Sequence, residues 1–130
     1  SLIMFDIDRF KQINDTYGHD LGDQVLAELG QRVAGHLREP DQAARWGGEE
    51  FMVLLPETSL ETAPTIAERL RRVVTATPFE GAGRVTLSLG VASYHGNEDR
   101  KHLLKRLDDA LYAAKQGGRD RIDIADDRTT

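Results

Sequence analysis

Ala43-Ala44-Arg45-Trp46-Gly47-Gly48-Glu49-Glu50-Phe51-Met52-Val53-Leu54-Leu55 carries the most structural information in this chain. Ala43 to Trp46 and Phe51 to Leu55 are two strands joined across Gly47-Gly48-Glu49-Glu50. Gly-Gly between strands is a strong hairpin signal, because the tight turn needs positive φ at its centre and glycine adopts it without steric cost. The hairpin is also acidic at its tip. Two adjacent acids on a turn are ordinarily just solvated. An apex without side chains, however, lets a bulky ligand approach the backbone closely.

Upstream, Leu2 to Phe5 is a short continuous apolar run, as expected of a strand covered on both faces. Asp6-Ile7-Asp8 ends it. A short helix from Arg9 to about Tyr17 and a loop at Gly18-His19-Asp20 follow. Leu21, Val25, Leu26, Leu29, Val33 and Leu37 recur at three-and-four spacing, the apolar face of a second helix that Pro40 stops. Downstream, Ser59 reads as an N-cap with Thr62 at the third position, and the helix runs to about Thr75 with Ile66, Leu70, Val73 and Val74 inward. Val85, Leu87, Leu89 and Val91 alternate with small or polar residues, predicting a strand with one wet face. A last helix spans roughly Arg100 to Gln116, with Gly117-Gly118 as its C-cap. Ile122 and Ile124 suggest a closing strand, and Asp126 to Thr130 is a polar tail. Trp46 and Tyr112 read most simply as core residues. Together the elements predict an α+β domain, one mixed sheet with helices packed on it, over residues 1–125.

The 130 residues suffice for one core, and 30% charged content is that of a soluble globular chain. Seventeen basic against 22 acidic residues give a net charge of −5, which argues against a general nucleic-acid binder. With no cysteine, disulfides, thiolate metal sites and cysteine nucleophiles are excluded. No apolar run approaches the ~20 residues of a membrane span, and no signal peptide is visible. A core strand at residue 2 suggests a chain cut from something longer.

Asp6 and Asp8 sit at the end of a rigid strand, where carboxylates suit a hard cation such as magnesium. For Asp8 taken singly, a helix cap before Arg9 is the simpler reading. Lys115 and Arg119, four apart near a helix end, could share a face toward an anion or simply compensate the helix dipole. Arg38-Glu39-Pro40-Asp41 holds an Arg-x-x-Asp that in isolation is only a surface ion pair. His19 is more simply structural, and His36, His95 and His102 lack metal-ligand spacing.

Several long segments, in order, resemble the GGDEF family of diguanylate cyclase domains. Arg45 to Phe51 carries the GGEEF form of the signature. Phe5-Asp6-Ile7-Asp8-Arg9-Phe10-Lys11-Gln12-Ile13-Asn14-Asp15-Thr16-Tyr17-Gly18-His19-Asp20-Leu21-Gly22-Asp23 resembles the family's first strand and following loop almost residue for residue. Leu87 to Ala92 and Asp109 to Lys115 match its later segments. The likeness covers essentially the whole chain. Members usually begin further upstream, with a helix and an Asp-x-Leu-Thr-Gly-Leu-x-Asn-Arg-type segment that this sequence lacks, so an N-terminally truncated domain is expected.

The resemblance implies a mainly antiparallel sheet of nucleotidyl-cyclase, ferredoxin-like type. It implies condensation of two GTP into cyclic di-GMP with Mg2+ as cofactor, Mn2+ being able to substitute. Asp6 and Glu49 would ligate metal through their side chains and Ile7 through its carbonyl, with Glu50 helping to hold a second ion. Glu49 would also accept the proton of the attacking 3′-hydroxyl. Asn14 and Asp23 would read guanine, since a carboxylate accepts from its amino and imino N–H groups and adenine offers no such pair. Lys11, Lys115 and Arg119, with backbone N–H groups at Arg9–Phe10, would serve the phosphates, and Gly47 and Gly48 the substrate at the hairpin. Arg38 and Asp41 fall where the family has an RxxD product-inhibition site, with Arg69 as a second arginine. A homodimer, an upstream sensor domain and a cytoplasmic location, with the full-length protein able to be membrane-anchored, complete the expectation. The rival readings are a non-catalytic GTP or cyclic di-GMP receptor, a pure interaction module, and a cyclase that also uses ATP.

Overall fold

The computed structural model describes residues 1–125; the expected tail at Asp126 to Thr130 lies outside them. In chain order the elements are β1 (Leu2–Ile7), α1 (Phe10–Tyr17), α2 (His19–Ala34), β2 (Gln42–Gly47), β3 (Glu50–Leu54), α3 (Ala63–Ala76), β4 (Leu87–Ala92), α4 (Arg100–Gln116) and β5 (Arg121–Ile124). They form one five-stranded sheet in the order β2-β3-β1-β4-β5. All pairings are antiparallel except the parallel β4–β5 edge. The fold is therefore the α+β mixed sheet expected from the element order.

β1 is central because its apolar run can be covered on both sides. Ile3 and Phe5 face a core shared with Leu29 of α2, Leu70 of α3, and Phe51, Val53, Leu89 and Val91 of the sheet. Phe5 lies opposite Phe51 in the register, and their rings stack with centroids 5.2 Å apart. Met4, Met52 and Ala92 point the other way, under Leu103, Leu107 and Leu111 of α4. Each fully buried leucine here contributes on the order of 1.5–3 kcal/mol. At Gly90 α4 comes so close that an added Cβ would lie 2.6 Å from the Leu111 backbone nitrogen and 2.8 Å from the Leu107 carbonyl oxygen.

The same closeness overturns the wet face predicted for β4. All six of its residues are buried, because helices cover both sides and the apparently polar side consists of Gly90 and a hydrogen-bonded Ser88. Val85 is buried but precedes the strand. Leu37, too, falls past the end of its helix, packing partly buried against the core. Ser59 does not cap α3. Its carbonyl accepts from the Thr62 and Ala63 N–H groups in a turn, and the helix starts at Ala63 with no side-chain cap bond.

The hairpin is tighter than expected. Gly47 pairs with Glu50, leaving Gly48-Glu49 as the loop, and of the two glycines Gly48 takes positive φ (52°). A register shift between Arg45 and Gly47 puts Trp46 at a bulge. Trp46 and Tyr112 are not core residues: they are 54% and 63% exposed. Trp46 is turned outward by the bulge on an edge strand exposed along its whole length. Tyr112 follows Leu111, on the side of α4 away from the sheet.

Candidate active site

Strand register builds the site. Asp6, near the end of β1, lies directly opposite Glu50 of β3 on one side and Ser88 of β4 on the other. Direct partners in a sheet share a face, so Asp6 and Glu50 emerge on the side covered by α4, where the helix delivers Lys115. The Lys115 ammonium lies 2.5 Å from Asp6 Oδ2. The other oxygen, Oδ1, is buried and has no hydrogen-bond partner among the described residues.

These groups open into a cleft of about 730 Å³ between the hairpin, α1, α2 and the end of α4. Of the residues expected to act on substrate or metal, it collects Asp6, Glu49, Glu50 and Lys115, then Phe10, Lys11, Asn14 and Asp23, and the glycines Gly47 and Gly48. Ile7 and Arg119 are not on its lining. The Ile7 side chain is buried in the core with Phe5, so only its backbone is left for ligation. Arg119 follows the C-terminus of α4 in a left-handed conformation, φ 62°, close enough for its charge to act on Asp6. Arg38 and Asp41 lie apart from the cleft, in the α2–β2 connection. Arg69 reaches that connection from α3, donating from Nη2 to the His36 carbonyl at 2.9 Å.

Burial sets the electrostatics. It pushes the Asp6 carboxyl above its ordinary pKa, although the hydrogen bond and charge of Lys115 pull the other way. Glu49 and Glu50 are also raised, first by burial and then by repulsion from Asp6. Burial works against the Lys115 charge, but the hydrogen bond and charge of Asp6, with Glu50 and Glu49 beyond, outweigh it and raise its pKa. Such a nest of crowded carboxylates gains by a cation.

Two further residues shape the α1–α2 wall of the cleft. Asn14 Oδ1 is buried without a hydrogen-bond partner among the described residues, although Asn14 lines the cleft. Gly22 of α2 makes room for it, since a Cβ there would lie 1.9 Å from Asn14 Oδ1.

Sequence reasoning missed Arg45 and misjudged Asp8. Arg45 lines the cleft and ties the hairpin by donating from Nε to the Gly48 carbonyl at 2.6 Å. A cation directly before a Gly-Gly turn was the available signal. His19, read as structural, also lines the cleft. Asp8 does not cap α1, whose N-cap residue Arg9 has left-handed φ and no side-chain bond. Its buried carboxylate accepts instead from Ser88 Oγ, Thr86 Oγ1 and the Asp120 backbone N–H, at 2.6, 2.7 and 2.9 Å.

The sequence profile described as "Diguanylate cyclase, GGDEF domain" matches residues 1–121. The chain belongs to the GGDEF family. Among curated relatives it is 50% identical over 122 residues to "Diguanylate cyclase DgcM" of Escherichia coli (strain K12), covering 94% of this chain and 30% of that protein. It thus spans about a third of that relative's length. The GGDEF domain of DgcB from Caulobacter crescentus, solved in complex with c-di-GMP, superposes with a TM-score of 0.89 at 36% identity, over 95% of this chain and 75% of that one. The active GGEEF domain of a diguanylate cyclase from Vibrio cholerae gives 0.88 at 40% identity, over 99% and 83%.

Divalent-metal dependence is general in GGDEF cyclases, and the donor set here fits a magnesium ion. Asp6 Oδ1 is an orphaned buried acceptor in a cleft shared with Glu49 and Glu50. Among the described residues, no three acidic or histidine side chains form a ready-made metal cage. Mg2+ keeps water and substrate phosphates in its shell and needs only one or two protein carboxylates. No helix of the described GGDEF domain is long and apolar enough to cross a membrane.

Proposed function

We propose that this GGDEF domain condenses two GTP molecules into cyclic di-GMP, releasing two pyrophosphates, across a homodimer. The observation that carries the reading is the convergence of Asp6, Glu49 and Glu50, the pair Asn14 and Asp23, and two lysines on one cleft. Asn14 and Asp23 read the guanine edge, and Asp23 sets GTP above ATP. Phe10 buries its ring beneath that subsite, and the backbone at Arg9–Phe10 offers N–H groups to phosphate. Lys11, Lys115 and Arg119 neutralise the triphosphate. Gly47 and Gly48 present no side chain where the substrate meets the hairpin.

Asp6, Glu49 and the Ile7 carbonyl, with Glu50 for a second ion, are the residues to hold Mg2+ (or Mn2+), which supplies charge neutralisation at the phosphates when bound. Glu49 takes the proton of the incoming 3′-hydroxyl. Burial and the neighbouring Asp6 charge raise its pKa, which makes it a stronger base than an exposed glutamate. The 3′-oxygen bonds to the α-phosphorus of the other GTP as the bond to the β-phosphate oxygen breaks and pyrophosphate leaves. One cleft takes one GTP, and the product is a symmetric ring with two such bonds. Two copies must therefore meet face to face.

Arg38, Asp41 and Arg69 form the product-inhibition site in this reading, supported by the Arg69 contact with the loop that leads to Arg38. An upstream sensor domain controlling dimerisation and a cytoplasmic location complete the proposal. The test is cyclic di-GMP formation from GTP and Mg2+ by this chain, by a version extended upstream, and by Glu49→Ala in the longer version. Product from the longer wild type that is lost in Glu49→Ala supports the cyclase. Absence of product from both wild-type forms even when forced to dimerise, with cyclic di-GMP still bound, favours a receptor.

A further inference from the structure

The two aspartates at the end of β1 each hold one end of the same short segment. Asp6 pairs with Lys115 in the last turn of α4. Asp8, two residues on and 8% exposed, accepts the backbone N–H of Asp120 at 2.9 Å. Between these anchors lies Arg119. The segment is bent sharply, for Gly118, Arg119 and Asp120 have consecutive positive φ values of 120°, 62° and 47°. Arg119 and Asp120 are not glycines, so each left-handed residue is strained and persists only where its surroundings hold it.

Three contacts hold it. Asp8 fixes the Asp120 backbone and is itself fixed by Thr86 Oγ1 and Ser88 Oγ from the β4 region. Arg71 of α3 donates from Nη1 to Asp120 Oδ1 at 2.6 Å while its other nitrogens grip Glu68. The Arg119 N–H closes on the Ala114 carbonyl at 3.0 Å. These bonds engage both oxygens of the Asp8 carboxylate, and Asp8 does not line the cleft.

We propose that Asp8, through its bond to the Asp120 backbone and seconded by Arg71, is a positioning residue that holds Arg119 toward the triphosphate of the nucleotide. Without the anchor the left-handed turn relaxes, and a flexible arginine loses the preorganisation that makes its contact with a phosphate favourable. The inference rests on the assignment of the cleft to GTP. It concerns the phosphate end alone, because Asn14 and Asp23 belong to α1 and α2 and not to the turn.

The test is calorimetric binding of two ligands in the presence of Mg2+: GMP, and a GTP analogue with a methylene between its α- and β-phosphates. Wild type is expected to prefer the triphosphate analogue. Asp8→Ala is expected to weaken the analogue about tenfold, the equivalent of ~1.4 kcal/mol, and GMP by no more than about twofold. In an Arg119→Ala background the same substitution is expected to cost no more than about twofold, since Asp8 acts through that arginine. Equal weakening of both ligands, or a full effect without Arg119, overturns the proposal and leaves Asp8 a general stabiliser. A wild type that does not prefer the triphosphate overturns the GTP assignment itself. Should Asp8→Ala not fold, Asp120→Ala, which removes only the Arg71 tie, decides the matter. It is expected to weaken the analogue about threefold with GMP unchanged, and equal affinity to wild type for both ligands sinks the idea.

Discussion

Gly22→Ala is the substitution that best separates the fold from the site. Gly22 is buried in α2, where alanine is ordinarily the better helix former by about 1 kcal/mol. The new Cβ would lie 1.9 Å from Asn14 Oδ1, 3.0 Å from its Cγ and 3.3 Å from the edge of the Phe10 ring. The first distance is far inside van der Waals contact, so the amide has to retreat by roughly 1 Å or more. Retreat is feasible because the obstacle is the end of a side chain. Overpacking therefore costs about 1–2 kcal/mol, largely offset by helix propensity, and the melting temperature should move by only a few degrees. The site should not escape so lightly. An amide displaced from the guanine edge forfeits a hydrogen bond worth about 1–1.5 kcal/mol. GTP affinity should fall about tenfold, appearing in KM rather than kcat. Titration calorimetry and a thermal melt on the same sample provide the check. Wild-type GTP affinity in a folded Gly22→Ala protein would refute both the role of Asn14 and the claim that Gly22 makes room for it.

Glu49→Ala should lower cyclic di-GMP formation by at least about 100-fold, the range for losing a general base, with an unchanged melt because the residue sits on a two-residue turn. Gly90→Ala should do the reverse. Its Cβ would meet only α4 backbone, at 2.6–3.1 Å, so α4 must lift and the fold loses about 3 kcal/mol, roughly 10 °C in Tm by a thermal melt. Glu68 is held down to about pKa 2, chiefly by its hydrogen bond to Arg71. A depressed carboxyl stabilises above its unfolded pKa of 4.5 and ceases to do so as pH falls toward 2. The share lost is about 1 kcal/mol after solvent screening, read by denaturant melts of wild type against Glu68→Gln across that window. Trp46, the single tryptophan, is 54% exposed beside the hairpin. Its emission should be red-shifted and acrylamide-quenchable, and should change when GTP is added.

Much of this was legible because the informative residues are local. The apolar run of β1, the Gly-Gly hairpin and the leucine spacing of α4 each specify an element within a few positions. The register then follows from burying both faces of β1, which is what brings Asp6 opposite Glu50. What failed was long-range. Asp8 read as a helix cap because its true partners, Thr86, Ser88 and Asp120, are about eighty to more than a hundred positions away. β4 looked half wet because Ser88 and Gly90 suit a solvated face equally well as a hydrogen-bonded and closely packed one. Trp46 looked like core because a bulge, which reverses the side a residue faces, leaves no simple mark in composition. Arg45 was overlooked because its contact is with a backbone carbonyl, Gly48, which no side-chain motif records.

The pairing of Asp6 with Lys115 has a consequence for how the protein comes into being. The two residues stand near opposite ends of the described chain, and β1 itself is closed on one side by β4, more than eighty positions later. Such distant pairings form slowly and late. On the ribosome, a nascent chain stalled after α3 can make the hairpin and three helices, yet its first strand still lacks one neighbour and its buried carboxylate still lacks its lysine. No competent site precedes the complete fold. The cleft of this domain is thereby incomplete until its last helix has been made.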